Sequence, residues 1–188
     1  MSTFVECSRV VCAHIAASPY GRFGNLSKDA ADLIVEVAGI ENISPALLAV
    51  TWLNESVFKF YPPPNTNGYL DDFEHWDVGG FQLNVYWTGK VIEKREAKGV
   101  DGWDGSPAFN ADGTAANFNG DPLANARTAA QRLLAIRKPS IGDDYKNDDE
   151  RRAVKYTGPG AQPYRLDSYR EYAPLFDQFF QCYGNAIL

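Results

Sequence analysis

The sequence predicts a mainly α domain, α+β in the wider sense, with a small β element between its helices. Three observations predict it. Several windows repeat apolar residues at helical spacing behind recognisable caps, one short segment alternates with period two, and no apolar run nears the roughly 20 residues of a membrane span. The chain has 188 residues, 45% hydrophobic and 22% charged. That is enough to bury a core without metal or disulfide staples, and it excludes a disordered chain, a coiled coil and a collagen-like repeat.

Element by element, the first 25 residues show no sustained period, and Ser18-Pro19-Tyr20-Gly21 reads as a turn. Ser27 caps a helix carrying Ala30, Leu33, Ile34 and Val37, which Gly39 would end. Ser44-Pro45 is a stronger start, a hydroxyl cap followed by proline where its missing N–H costs nothing. That helix runs through Glu55 and must stop before Pro62-Pro63-Pro64. Phe81, Leu83, Val85 and Trp87 alternate with Gln82, Asn84 and Tyr86, which favours a short strand. Residues 99–121, rich in Gly, Asp and Asn, read as an insertion or long loop. Asp121-Pro122 opens a helix with Leu123, Ala126, Ala130, Leu133 and Leu134, closed before Pro139. Asp148-Asp149-Glu150 suit the N-terminus of another, and Gly158-Pro159-Gly160 breaks the chain. A last helix with Tyr172, Leu175, Phe176, Phe179, Phe180 and Tyr183 should end at Gly184.

Charge and cysteines narrow the function. Eighteen Lys and Arg against 24 Asp and Glu give −6, the wrong sign for a phosphate-tracking nucleic-acid binder. The N-terminus lacks the basic and apolar pattern of a secretory signal, so the protein either is made without one or starts after its removal. Cys7, Cys12 and Cys182 allow a Cys7/Cys12 pair or a Cys12/Cys182 clasp of the termini, with one thiol left over; buried or idle thiols are the plainer reading. There is no Cys-x-x-Cys, and His14 and His75 are far apart, so no metal or other cofactor is expected. Gly158-Pro159-Gly160 lacks the lysine and helix start of a phosphate loop.

Glu55 carries the chemistry. Leu48, Trp52 and Glu55 form one i, i+4, i+7 row, so the carboxylate shares a face with a leucine and a tryptophan. It also lies near the negative end of its helix dipole. Both effects favour the protonated form, and an apolar pocket lifts a glutamate from about 4.3 to roughly 6. Such a group donates a proton near neutrality, as cleavage of a glycosidic bond requires. The plain alternative is a solvated glutamate at a fraying helix end.

Four segments then follow in order: Glu55-Ser56, Gly79-Gly80-Phe81-Gln82 with Asn84, Asn125 on its helix, and Tyr156-Thr157-Gly158. In that order they resemble the lytic transglycosylases of the lysozyme-like superfamily, which cleave peptidoglycan, over roughly residues 43–185. The resemblance implies a lysozyme-like catalytic domain at 43–188, with residues 1–42 packed on it and the glycine-rich stretch 99–121 inserted. It implies Glu55 as the catalytic acid and Ser56, Gly79, Gln82, Asn84, Asn125 and Tyr156 around the substrate, a peptidoglycan or related amino-sugar polymer. Departures are a long, proline-bearing stretch before Gly79, Gly80 where a large apolar residue is usual, and Thr157 where asparagine is usual.

The implied mechanism needs one carboxyl. Glu55 would protonate the glycosidic oxygen leaving N-acetylmuramic acid, then take the proton of the C6 hydroxyl as a 1,6-anhydro ring closes. A hydrolytic lysozyme or chitinase-like enzyme would add a second carboxylate, and Asp71, Asp72, Glu74 and Asp77 lie in the right part of the chain. Trp76, Tyr86, Trp87 and Trp103 could stack on sugars or pack in the core. A non-catalytic glycan-binding domain is the reading from another class. The acidic balance suits delivery to the cell envelope or outside the cell, for instance by a phage particle, better than free diffusion to an anionic wall.

Overall fold

Local rules explain where each helix starts. The computed structural model describes residues 3–18, 25–63, 65, 68, 77–84, 121–136, 145–156 and 163–187. Among them are six helices, α1 (Phe4–Ala17), α2 (Lys28–Glu41), α3 (Pro45–Ser56), α4 (Pro122–Ala135), α5 (Asp148–Lys155) and α6 (Pro163–Ile187). Two short strands, β1 (Asp77–Val78) and β2 (Leu83–Asn84), pair antiparallel with Asp77 opposite Asn84. The protein is therefore mainly helical. Ser27, Ser44, Asp121 and Asn147 cap α2 to α5 through their side chains, and Pro45 and Pro122 sit in the first turns.

Several expectations need correction. The N-terminal stretch holds α1: Thr3 and Glu6 form a reciprocal capping box, and Ser8, Val11 and Ile15 form its buried face. That face includes a serine, so an apolar count misses its period. Gly39 does not end α2, which continues to Glu41 and closes on Asn42 in the left-handed conformation. The alternating segment yields only Leu83–Asn84 as strand, with Phe81 and Gln82 in the preceding turn; residues 85–87 lie outside the described residues. The last helix starts at Pro163 and runs through Pro174 and Gly184. Pro174 removes one backbone donor inside it, and packing on three neighbouring helices carries the helix across that gap.

Neither expected cysteine pairing occurs. Cys7 bonds Cys182, with Cα atoms 5.7 Å apart, and Cys12 is free. Five residues of helix turn Cys12 about 140° away from Cys7, and its thiol lies 3.8 Å from the Leu26 carbonyl. Burial pushes that thiol's pKa up, which makes it less reactive.

α3 is the centre of the core. Ala46 to Leu53 are buried without a polar face, as expected of a helix covered on all sides. α6 lies against it with an aromatic stripe, and Phe176 meets Phe58, which in turn meets Trp52. α1 packs on α6 through Phe4 against Phe179 and Tyr183, so Val11 and Ile15 join one continuous core with α3. α2 joins α4 where Glu41 accepts from Arg127 (2.8 Å) and Gln131 (3.2 Å). None of the described helices is long and apolar enough to cross a membrane.

α5 is fastened to α6 by Glu150. Its buried carboxylate takes Arg170 Nε and Nη2, each at 3.0 Å, and the Lys146 N–H at 2.8 Å. The Arg170 contact holds its pKa below the usual range against the opposing effect of burial. A depressed carboxyl contributes stability above its unfolded value, about 4.3, and that stability is lost as pH falls through the folded value. Glu150→Gln should thus cost about 1.5–3 kcal/mol at neutral pH and flatten the loss of stability below pH 4. Urea unfolding at pH 7 and pH 3.5 checks this; an equal cost at both would contradict it.

Candidate active site

The end of α3 is built around one turn, residues 79–82. Ser56 closes the helix, and its Oγ donates to the Gly80 carbonyl at 2.6 Å, with the Lys59 carbonyl 3.2 Å away. Gly79 takes φ +72°, and its carbonyl accepts both the backbone N–H and the side-chain Nε2 of Gln82, each at 3.0 Å. From α4, Asn125 Oδ1 accepts the Phe81 N–H at 2.9 Å. From the end of α5, the Tyr156 hydroxyl donates to the Phe81 carbonyl at 3.0 Å. The Phe81 ring stacks on Trp52, centroids 5.1 Å apart. Five positions read from the sequence as one site, Ser56, Gly79, Gln82, Asn125 and Tyr156, therefore meet at one turn.

Those polar groups face inward. Asn125, Tyr156 and Ser56 are buried and spend these bonds on backbone. Burial pushes the Tyr156 phenol far above its ordinary pKa, with the Arg132 charge opposing, so it stays a donor. Asn84 donates Nδ2 to Asp77 Oδ1 at 3.0 Å, bracing the two strands. Asp71, Asp72, Glu74, Trp76, Tyr86, Trp87, Trp103 and Thr157 lie outside the described residues, as does most of the glycine-rich stretch.

Two glycines have steric reasons. A Cβ at Gly80 would meet Trp52 Nε1 at 2.7 Å and the Lys59 carbonyl at 2.9 Å, so the indole already fills the space a larger residue would take. A Cβ at Gly79 would lie 2.1 Å from Asn125 Nδ2. Gly79→Ala adds left-handed strain of about 1–2 kcal/mol and displaces the amide that holds Phe81. Its melting temperature should fall by several degrees, whereas Gly39→Ala, with open space around its Cβ, should not destabilise.

Backbone strain gathers in the same place. Val57 and Phe58, directly after Glu55-Ser56, take φ of 54° and 61°, and Gln82 takes 45°. Such conformations are costly for β-branched and bulky residues, and they persist where packing over-determines them, often at functional sites. Phe58 is held against Trp52 and Phe176.

Glu55 lies beside this turn with a partner that sequence reasoning missed. Its Oε1 is 2.6 Å from Arg165 Nη1 on α6, and the side chains are 8% and 4% exposed. Oε1 and Nη1 are shut off from solvent and meet as a buried charge pair. Burial pushes the Glu55 pKa up; the Arg165 contact and the Arg132 charge pull it down, Asp77 adds to the rise, and the balance is upward. One signal was readable: Arg165 begins the stripe Arg165, Ser168, Tyr172, Phe176, Phe179, and a cation on an apolar stripe implies a buried anion opposite. Ser168, one turn on, donates to Asn54 Oδ1 at 2.8 Å.

Among the described residues no group of three His, Cys, Asp or Glu could hold a metal ion. Comparison of the chain with protein-family models, curated proteins and solved structures yields no match.

Proposed function

We propose that the chain is a peptidoglycan-cleaving lytic transglycosylase of lysozyme-like fold, acting on the MurNAc–GlcNAc β-1,4 bond through Glu55 alone. One observation carries the reading: a nearly buried glutamate at the end of the central helix has its pKa raised, with one oxygen against Arg165. The convergence of Ser56, Gly79, Gln82, Asn125 and Tyr156 on the adjoining turn supports it, since these are the positions the family resemblance selected. Their bonds to backbone give them the role of fixing the turn beside Glu55.

In this reading protonated Glu55 gives its proton to the glycosidic oxygen as the bond to the anomeric carbon breaks. The C6 hydroxyl of the same sugar attacks that carbon and passes its proton to Glu55, which is restored. No water is consumed. Burial favours the acid form that starts the cycle, and Arg165 stabilises the carboxylate formed midway. The expected setting is the cell envelope or the extracellular side, reached by secretion or phage delivery.

Two observations favour other readings. The Asp77 charge acts on Glu55, as the second carboxylate of a hydrolase would. The Glu55–Arg165 pair also ties α3 to α6, which gives a non-catalytic glycan-binding domain a reason to keep both residues. Mass spectrometry of fragments released from purified cell walls separates the three. Anhydro ends, one water lighter than reducing ends, are expected; reducing ends mean hydrolysis, and no release means binding alone.

A further inference from the structure

We propose that Arg165 is a positioning residue for Glu55: its guanidinium holds Oε1 and leaves Oε2 as the oxygen that carries and delivers the proton. The proposal rests on the catalytic reading of Glu55 and deepens it. A carboxyl has two equivalent oxygens, and a general acid works only if the protonated one points at the leaving group. Here the equivalence is broken by packing. Oε1 is shut off from solvent and sits 2.6 Å from Nη1.

Arg165 is itself fixed. Its Nε lies 3.2 Å from the Tyr164 hydroxyl and its guanidinium lies over that ring, 5.5 Å from the centroid. The guanidinium also stands on the first turn of a 25-residue helix that packs on α3. A proton cannot settle on Oε1 without meeting the N–H groups of Arg165, which have nothing to accept with. The proton therefore resides on Oε2.

The other charged and titratable groups around Glu55 do not do this. Arg132 on α4 acts on it through space only and lies 5.1 Å from the Tyr156 ring centroid; Asp77 on β1 acts in the opposite sense; and Tyr156 spends its hydroxyl on Phe81. Arg165 alone touches the carboxyl among the described residues.

Two variants separate charge from aim. Arg165→Gln removes the charge, and Arg165→Lys keeps the charge but has no planar fork to hold one oxygen. With the Glu55 carboxyl carbon-13 labelled, NMR titration should show the midpoint rising by about one to three pH units in Arg165→Gln and staying near wild type in Arg165→Lys. On cell walls, the alkaline limb of activity should move up with Arg165→Gln only. Both variants should lose kcat by about 100-fold with KM little changed, the cost of misplacing a reacting group by about 1 Å. Circular dichroism verifies that each is folded. A Lys variant with wild-type kcat, or a midpoint unmoved in the Gln variant, would overturn the proposal. The titration needs no turnover, so wild-type protein that cleaves no wall would refute the catalytic reading and leave the Arg165 contact tested separately.

Discussion

Glu55→Gln is expected to cut fragment release from purified cell walls by about 100- to 10,000-fold, the range a general acid contributes. The amide keeps the size of the carboxyl and presents an oxygen to Arg165, but it has no acidic proton to give. Its fold should persist. The sign of the linkage agrees: Glu55 has its pKa raised on folding, so its contribution to stability is present below about pH 4.3 and is lost as pH rises through the folded value. Replacing the titrating carboxyl by a neutral amide removes that pH-dependent loss. A Glu55→Gln protein that is folded by circular dichroism and digests walls at the wild-type rate would remove Glu55 from the chemistry.

The second large effect concerns the termini. The Cys7–Cys182 bridge closes a loop with a sequence separation of 175. In the chain-entropy account such a loop is worth about 5 kcal/mol, with 2–4 kcal/mol typical of measured bridges. Replacing both cysteines by serine should lower the unfolding free energy by an amount in that span and the melting temperature by roughly 5–20 °C. α1 should loosen first, because what then ties it to α6 is non-covalent: ring contacts of Phe4 and of His14 with Tyr172, the burial of Val11 and Ile15, and an exposed pair between His14 and Glu171. Cys12→Ser is the control and should change little, since serine can keep the thiol's contacts with the Leu26 carbonyl at 3.8 Å and with Ser8. Thermal melts with and without reductant read the difference; identical curves for wild type would show that the bridge contributes nothing to the folded state.

What could be read from the residues was set by how local the cause is. Ser44-Pro45 and Asp121-Pro122 announce α3 and α4 because a cap and a proline act within one turn. Helix α1 was hidden because its buried face uses Ser8, and α6 was cut short because Gly184 is tolerated inside a helix anchored by its aromatic stripe. The Cys7–Cys182 bond depends on α1 lying along α6, a fact of packing that no spacing encodes. At the site, the row of Glu55 with Leu48 and Trp52 points to a shielded carboxyl, and both neighbours are buried. Ser56, Gln82, Asn125 and Tyr156 were selected as a set, and they share a turn; that they bond backbone there follows from tertiary contacts far apart in the chain. Arg165 is not legible as the partner of Glu55 because the two lie far apart in the chain and only packing brings them together.

The most direct measurement is the titration of the Glu55 side chain itself in the wild-type protein, followed by carbon-13 NMR of the labelled carboxyl. A midpoint clearly above the ordinary glutamate value of about 4.3 is the predicted result, reflecting a side chain shielded by α3 and α6 more than it is charged by Arg165. A midpoint at or below that value would mean that the guanidinium wins, that the group is a permanent carboxylate, and that it has no proton to deliver at neutral pH.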